Sequence, residues 1–292
     1  MGDRVKIGVV YPQTELDPDP IAVRDFAQTV DDLGFTHILA YEHVLGADPD
    51  RSGGWQGIYT IEDSFMEPFA LFSFMAAVTK RVEFTTGILV LPQRQTALVA
   101  KQAATLDRLC GGRLRLGIGV GWNEAEYIAL EANFHTRGRR CEEQVQVLRS
   151  LWTESCVVFN GHWHTIPQMG LKPLPLQQPI PIWFGGHADV VLRRAARLGD
   201  GWLPTYSSVE DTNPSLEKLG EYLEAEGRSW DEFGLEARVR FSEGNLDELA
   251  GAMKDWERTG ATHITLNTMR SQLDGLDAHL QAIRVFAETF ID

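Results

Sequence analysis

Glu42 and His43 are the neighbouring residues whose side chains are best suited to acid–base chemistry in this sequence. They follow a short apolar segment and precede a polar loop, a position typical of the end of a strand. A histidine there can hydrogen-bond the carbonyl group of a cofactor or transfer a substrate proton near neutral pH. It can equally pair with Glu42 or with a backbone carbonyl. We take both residues as candidate catalytic groups and keep the structural interpretation as the alternative.

Three glycines spaced two residues apart indicate where a flat ligand could reach the backbone. Gly117, Gly119 and Gly121 lie in and just after a predicted strand, and they leave one face of it without side chains. Either a planar ligand lies against this face, or the glycines only relieve crowding inside a closed barrel.

A second pair of glycines precedes a predicted helix. Gly185 and Gly186 are followed by His187 and by Asp189, which we predict to be the N-cap of that helix. Free N–H groups and the helix dipole converge at such a turn, so it can hold a phosphate. A tight turn between a strand and a helix, without a ligand, is the alternative.

Other polar and aromatic residues have structural as well as functional interpretations. Asn123 and Glu126 have the spacing of a capping box, so we predict that they start a short helix. Trp55 and Tyr59 are large apolar residues within an otherwise polar, glycine-rich segment. They either line the mouth of a substrate site or anchor this loop.

These residues need elements that position them, and strand and helix patterns alternate along the whole chain. Eight strand–helix units predict a single (β/α)8 barrel of the α/β class over residues 1–292. Long insertions at about 45–62 and 122–179 are expected at the same rim, where they could act as lids. An open, doubly wound sheet is the alternative. The predicted strands span residues 5–10, 36–41, 82–91, 113–118, 180–184, 200–204, 235–241 and 263–267.

Composition narrows the class of protein. A net charge of −14 argues against nucleic acid or an anionic membrane as a general partner. No apolar run approaches the length of a membrane span, and the first residues lack an export signal. The three cysteines have no CxxC spacing, and no residue set indicates a metal site. We therefore expect a cytoplasmic protein that acts on a small molecule.

Several segments, in their order and spacing, resemble the bacterial luciferase-like flavin and deazaflavin oxidoreductases, and most closely the short branch assigned to coenzyme F420. The resemblance covers nearly the whole chain and implies a (β/α)8 barrel. The segments that carry it are 67–71, 85–92, 100–107, 112–122, 135–140, 181–186 and 199–202.

The resemblance also implies roles for the rim residues. His43 matches the histidine of the family at the end of the second strand, although Glu42 stands where the family usually has Asp. Thr86, Gly87 and Ile88 match the segment beside the cofactor ring, with a non-proline cis peptide between Gly87 and Ile88. The ring or ribityl chain is expected along Gly119 and Gly121, and the phosphate-bearing tail at Gly185, Gly186 and His187.

Two departures from the family concern the substrate. The deazaflavin-dependent glucose-6-phosphate dehydrogenases have a Trp where this chain has Ala47, and a Glu where it has Trp122. Sugar chemistry is therefore not expected. Trp55, Tyr59 and Trp122 instead indicate a bulkier, more apolar substrate.

Coenzyme F420 is the cofactor that we predict, because of the short chain and the Gly87-Ile88 pattern. A monooxygenase that uses reduced FMN and oxygen is the first alternative, and a flavin-binding barrel without catalysis is the second. The resemblance also leads us to expect a homodimer.

Overall fold

Eight parallel strands close into a barrel in the computed structural model, which describes residues 5–242 and 245–291. The strands are β1 (Lys6–Val10), β2 (His37–Ala40), β3 (Glu83–Thr86), β4 (Leu89–Val90), β5 (Leu114–Gly119), β6 (Val157–Asn160), β7 (Thr165–Met169), β8 (Ile182–Gly185), β9 (Gly201–Leu203), β10 (Gly234–Arg240) and β11 (His263–Asn267). The barrel strands pair in the order β1–β2–β3–β5–β8–β9–β10–β11, and β11 returns to pair with β1. The predicted (β/α)8 barrel is confirmed, and the open sheet is wrong because the barrel has no free edge.

The helices surround the barrel and bury their apolar faces against it. Phe26, Phe72 and Phe286 are fully buried between helices and strands. The helices are α1 (Pro20–Asp32), α2 (Pro68–Val78), α3 (Thr96–Leu109), α4 (Glu124–Ala129), α5 (Arg137–Thr153), α6 (Asp189–Leu198), α7 (Val209–Ala225), α8 (Leu246–Arg258) and α9 (Gly275–Phe290).

Side-chain caps start several of these helices. The Asp19 carboxylate accepts a hydrogen bond from the Ile21 N–H at 3.2 Å, and Pro20 is the first residue of α1. The Glu67 carboxylate accepts from the Ala70 N–H at 2.8 Å, and a proline again follows the cap. A side-chain acceptor and a proline at the first helical position together stabilise a helix start.

The third barrel strand is interrupted where the sequence predicts a continuous strand. β3 pairs with β2, and the chain then passes through Gly87 and Ile88 before β4 pairs with β5. The peptide bond between Gly87 and Ile88 is cis, as the resemblance implies. The interruption brings Gly87 and Ile88 to the wall of the cavity described below.

Two long segments follow the second and fourth barrel strands, as expected. The first runs from β2 to α2 and is tied by an isolated bridge between Ala47 and Thr60. The second runs from β5 to β8 and contains α4, α5 and the antiparallel hairpin of β6 and β7. Because both leave the carboxyl ends of parallel strands, they lie on the rim where the loops of such barrels carry function.

A charged cluster fills the barrel near the amino-terminal ends of the strands. Arg115 of β5 pairs with Glu236 of β10, and His37 of β2 lies 3.3 Å from the same carboxylate. Thr265 donates a hydrogen bond to Glu236 at 2.5 Å. Burial would raise the pKa of Glu236, but Arg115 and His37 hold it well below its ordinary value. The charges are thus compensated within the cluster.

Two expectations concern the outside of the molecule. Across residues 5–242 and 245–291, no helix has the length and apolarity needed to cross a membrane. The outer face of α2 is apolar, since Ala70, Phe74 and Ala77 are exposed along it. The homodimer that the resemblance implies stays a prediction.

Candidate active site

Two adjoining chambers form a cleft at the carboxyl ends of the barrel strands. The histidine chamber, of about 300 Å3, contains His43, Tyr41, Tyr59 and Glu126 in its wall. The glycine chamber, of about 410 Å3, is lined by residues that include Gly119, Gly185, Gly186 and His187. Both chambers share the following wall residues: Gly87, Ile88, Gly121, Trp122, Thr205 and Arg238. The cleft therefore connects the predicted catalytic histidine to the predicted phosphate turn.

His43 pairs with Glu126, not with its neighbour Glu42. Its Nδ1 lies 3.3 Å from Glu126 Oε2, and both side chains are largely buried. The same carboxylate accepts hydrogen bonds from the N–H groups of Val44 at 2.6 Å and Leu45 at 3.1 Å. Glu126 therefore fixes both the imidazole and the start of the loop that follows it.

The charge state of Glu126 follows from these contacts. Burial would raise the pKa of Glu126, but its hydrogen bond to His43 and those from Leu45 and Val44 lower it below the ordinary value. An anionic carboxylate at Nδ1 favours the tautomer with a proton on that nitrogen. Nε2 is then the nitrogen of His43 that can serve a ligand.

The capping box predicted for α4 is only half formed. The Asn123 side chain accepts a hydrogen bond from the Glu126 N–H at 3.3 Å, as predicted. The Glu126 carboxylate does not return to the backbone of Asn123 but contacts His43 and the adjacent loop. The sequence did not indicate the contact between Glu126 and His43, because these two residues are 83 positions apart.

The Glu42 carboxylate is engaged by a backbone N–H group and by an arginine. Its buried carboxylate accepts hydrogen bonds from the Val90 N–H at 2.5 Å and from Arg94 Nε at 2.8 Å. Arg94 also lies 3.0 Å from Glu67. Burial raises the pKa of Glu42, although Arg94 and the Val90 N–H act in the opposite direction. In this geometry Glu42 ties the end of β2 to β4, which corresponds to a positioning residue and not to the catalytic role that we predicted.

Aromatic rings surround the imidazole of His43. The ring centres of Tyr59, Phe65 and Trp122 lie 5.2, 5.1 and 5.8 Å from the imidazole. Trp55 packs against Trp122 at 5.6 Å and donates its indole N–H to the Tyr59 carbonyl at 2.8 Å. Tyr59 and Trp122 therefore line the cleft as predicted, whereas Trp55 supports them from behind.

The Ile88 side chain fills the space that side chains at two of the predicted cofactor glycines would occupy. A Cβ atom at Gly119 would lie 2.7 Å from Ile88 Cδ1, and one at Gly185 would lie 2.4 Å from Ile88 Cγ2. Crowding inside the barrel also accounts for Gly117, where a Cβ would lie 1.9 Å from the Thr86 carbonyl oxygen. Gly119 and Gly185 nevertheless remain in the wall of the glycine chamber.

Thr86 lies beneath this wall and not in it. The side chain is buried, and its hydroxyl donates a hydrogen bond to the Gly117 carbonyl at 2.6 Å. It lines neither chamber. The prediction that Thr86 binds the cofactor is therefore not supported, because the hydroxyl is used to join β3 to β5.

The turn before α6 has the form expected of an anion site. Gly186 has φ +119°, a conformation that residues with a side chain rarely adopt. Its carbonyl accepts a hydrogen bond from the Trp202 indole at 2.6 Å, which fixes the turn. His187 is exposed, and its Nδ1 lies 2.7 Å from the Thr205 hydroxyl. The first N–H groups of α6, those of Asp189 and Val190, precede the first hydrogen bond of the helix, which the Val191 N–H donates to the Ala188 carbonyl at 2.7 Å.

Asp189 is not the N-cap of α6, contrary to the prediction. Ala188 occupies that position, and Asp189 is the first helical residue. The Asp189 carboxylate accepts hydrogen bonds from the Tyr222 hydroxyl at 2.6 Å and from Arg193 at 2.9 Å. The carboxylate is thus occupied by Tyr222 of α7 and by Arg193, one turn further along α6, and makes no capping bond.

Sequence reasoning also missed Arg238, which lies between the two chambers. Glu236, Arg238 and Arg240 alternate along β10, so they share the face of the strand that points into the barrel. Arg238 donates a hydrogen bond to the Pro204 carbonyl at 2.8 Å and lies 3.4 Å from the Tyr41 hydroxyl. Charged residues at every second position of a barrel strand were the signal available in the sequence.

Comparisons with known proteins agree with this architecture. An uncharacterised protein of Mycobacterium tuberculosis is 34% identical over 233 residues, which is 78% of each chain. An FMNH2-dependent dimethylsulfone monooxygenase of Pseudomonas putida is 30% identical over 202 residues, 65% of this chain and 55% of the relative. The coenzyme F420-dependent tetrahydromethanopterin reductase of Methanopyrus kandleri has the same fold, with a TM-score of 0.77, 15% identity and 98% of both chains covered.

The family model matches a longer part of the chain than these relatives do. The sequence profile of the luciferase-like monooxygenases matches residues 5–275, which include every barrel strand and the whole cleft. With the closed barrel and the rim cleft, this match shows that the chain belongs to the luciferase-like monooxygenase family of oxidoreductases.

Proposed function

We propose that this protein transfers a hydride between coenzyme F420 and a small organic substrate. The observation that carries the proposal is the continuous cleft from His43, past Gly87 and Ile88, to the amino-terminal turn of α6. A tricyclic ring with an anionic tail needs such a path, with a proton carrier at one end and free N–H groups at the other.

The wall of the cleft supports a cofactor of this kind. Gly119, Gly121 and Gly185 leave a wall without side chains beside Ile88. The two chambers, of about 300 and about 410 Å3, are of a size common for small-molecule sites. Gly186, His187 and the first N–H groups of α6 would hold the phosphate. When bound, the deazaflavin supplies a carbon atom that gives or accepts a hydride.

His43 performs the proton transfer in this proposal. Glu126 holds the proton on Nδ1. Nε2 of the doubly protonated imidazole gives a proton to the substrate atom next to the carbon that receives the hydride, which leaves a neutral imidazole; in the reverse direction, Nε2 of the neutral imidazole removes that proton. Tyr59, Phe65 and Trp122 exclude water around the imidazole. Glu42 does not touch the substrate and keeps the end of β2 in place.

A monooxygenase that uses reduced FMN is the second candidate function. It is favoured by the similarity to the dimethylsulfone monooxygenase, whose name states that it uses FMNH2. The same chambers would accept a flavin, because FMN also combines a tricyclic ring with a terminal phosphate.

Titration with both cofactors separates the candidates. We expect oxidised F420 to bind with a dissociation constant at least tenfold below that of FMN, measured by absorbance and fluorescence, and reduced F420 to be consumed with ketones, imines or nitro compounds. Tighter binding of FMN together with substrate-dependent oxygen uptake would contradict the F420 proposal.

The role of His43 is tested in the same assay. Replacing His43 by Ala should lower kcat by about 10²- to 10⁴-fold, since general acid catalysis contributes that much, while cofactor affinity changes little. The matched control is His135→Ala, because His135 is exposed outside the cleft and lies 3.6 Å from Glu124. An unchanged kcat in His43→Ala excludes the proposed proton transfer.

A further inference from the structure

Three arginines line the histidine side of the cleft. The wall of the histidine chamber contains Arg238, Arg240 and Arg270. Arg238 and Arg240 also line a smaller neighbouring cavity, whose wall includes Tyr206. Arg240 and Arg270 are exposed to solvent. Within the described part of the chain, none of the three guanidinium groups lies within 4 Å of a carboxylate, although the Glu15 carboxylate accepts a hydrogen bond from the Arg270 backbone N–H at 2.6 Å.

Two tyrosines bring these guanidinium groups together. The Arg238 guanidinium lies 5.9 Å from the ring centre of Tyr41, and that of Arg270 lies 5.8 Å from the ring centre of Tyr59. Arg240 is opposite Asn267 in the β10–β11 register, and the Asn267 amide lies 3.5 Å from the Tyr41 hydroxyl. The positive charges and the two hydroxyl groups therefore face one region of the chamber.

The carboxylates of the same chamber do not neutralise these arginines. Glu42 is occupied by Arg94 and the Val90 N–H, and Glu126 by His43 and the loop backbone. Other arginines of the barrel do pair with carboxylates, such as Arg115 with Glu236 and Arg194 with Glu142. Among the described residues, the guanidinium groups of this cluster have no carboxylate partner, so in a chain of net charge −14 they are available to an anionic ligand.

We propose that the substrate is an organic anion whose carboxylate, sulfonate or phosphate group is held by Arg238, Arg240 and Arg270. This inference rests on the proposed function and names the substrate class of its site. The apolar part of the substrate then packs against Tyr59 and Trp122, and its reacting atom faces His43 Nε2. Charge-assisted hydrogen bonds from arginine are strong and suit planar or tetrahedral anions.

The positions of the arginines argue for a substrate anion and against the tail of the cofactor. Arg240 and Arg270 line the histidine chamber but not the glycine chamber. Gly186 and His187, which would hold the tail, line the glycine chamber but not the histidine chamber. The two anion sites therefore lie at opposite ends of the cleft, and only Arg238 borders both.

The test compares small probes with an anionic head group to a neutral analogue with a similar alkyl chain. Pentanoate and pentane-1-sulfonate are titrated against the neutral analogue pentanamide, with tryptophan fluorescence as the readout because Trp122 lines the chamber. The cofactor-free protein is used, so the result does not depend on the proposed reaction. We expect both anions to bind at least about tenfold more tightly than pentanamide.

Substitutions then test whether the preference for anions over pentanamide depends on the arginines. Arg240→Gln combined with Arg270→Gln should reduce the preference for the anions to about twofold or less and leave the affinity for pentanamide unchanged. The matched control is a double variant, Arg284→Gln with Arg139→Gln, since these exposed residues lie outside the cleft and remove the same charge. Both double variants are also titrated with F420 and FMN.

Each outcome decides the proposal. Equal binding of the anions and pentanamide by the unmodified protein overturns the proposal. An equal loss of anion preference in the control variant also overturns it, because the preference would then depend only on the net charge of the protein. A loss of cofactor affinity without a change in anion preference also overturns it, because the arginines would then hold the tail of the cofactor. If neither cofactor binds while the anion preference depends on Arg240 and Arg270, the proposed function fails and the anion site stands.

Discussion

At the level of single residues, the orientation of the His43 imidazole depends on a carboxylate from another part of the chain. Glu126 contacts Nδ1 of the imidazole and the N–H groups of the following two residues, so one side chain orients both the ring and its loop. Because the pKa of Glu126 is lowered, this group stays anionic at neutral pH. We infer that it is a positioning residue for proton transfer.

Replacing Glu126 by Gln tests this role. Gln keeps an oxygen for the Val44 and Leu45 N–H groups but removes the charge that stabilises a protonated imidazole. We expect kcat to fall by about 10²-fold and the pH–rate profile to shift to lower pH, while cofactor affinity is retained.

Glu124→Gln is the matched control for this prediction, because Glu124 is in the same helix turn and half exposed. A purely structural role for Glu126 predicts reduced stability with an unshifted pH–rate profile. That result would contradict the inference.

At the level of elements, the turn between β8 and α6 combines a constrained backbone with the amino-terminal end of a helix. Gly186 has a positive φ, and the Trp202 indole fixes its carbonyl. The Asp189 carboxylate is occupied by Tyr222 and Arg193 on the outside of the barrel. The turn can therefore accept an anion in spite of an acidic residue at the first position of the helix.

Two substitutions at Gly186 separate backbone strain from charge. Gly186→Ala and Gly186→Asp both place a side chain at φ +119°, which costs about 1–3 kcal/mol of folding stability. Only Asp adds a negative charge, so it should lower the affinity for F420 or FMN by at least about tenfold relative to Ala. Equal affinities of the two folded variants, measured by fluorescence titration and urea unfolding, would argue against a phosphate at this turn.

At the level of the whole molecule, buried histidines link folding stability to pH. Burial lowers the pKa of His37, His263 and His279, although Glu236 acts in the opposite direction on the first two and Glu15 on the third. Arg115 lowers the pKa of His37 and His263 further. These histidines are therefore neutral in the folded protein and become protonated mainly when it unfolds.

Stability should consequently be highest above about pH 6.5 and fall as the pH decreases below the pKa of unfolded histidine. Since the unfolded chain binds more protons, each histidine contributes a slope of up to about 1.4 kcal/mol per pH unit. Urea unfolding between pH 8 and pH 5.5 measures this slope. His279→Gln should make it smaller, because His279 is fully buried beside Thr268 and 3.3 Å from Glu15. An unchanged slope in this variant would contradict the assignment.

The sequence alone determined the barrel, the order of its strands and the rim residues to be considered. Hydrophobic periodicity is local, so eight strand–helix units could be recognised without any knowledge of contacts. The positions of His43, Gly87-Ile88 and Gly185-Gly186 followed from the ends of predicted strands and from the resemblance to a family.

Only the tertiary structure decided how these residues are paired. Glu126 reaches His43 across 83 positions, Thr86 turns to Gly117, and Asp189 prefers Tyr222 to the end of its own helix. These choices depend on burial and on which distant side chains meet when the barrel closes. For the same reason, only the structure showed that the described carboxylates around the arginines of the cleft are occupied by other partners.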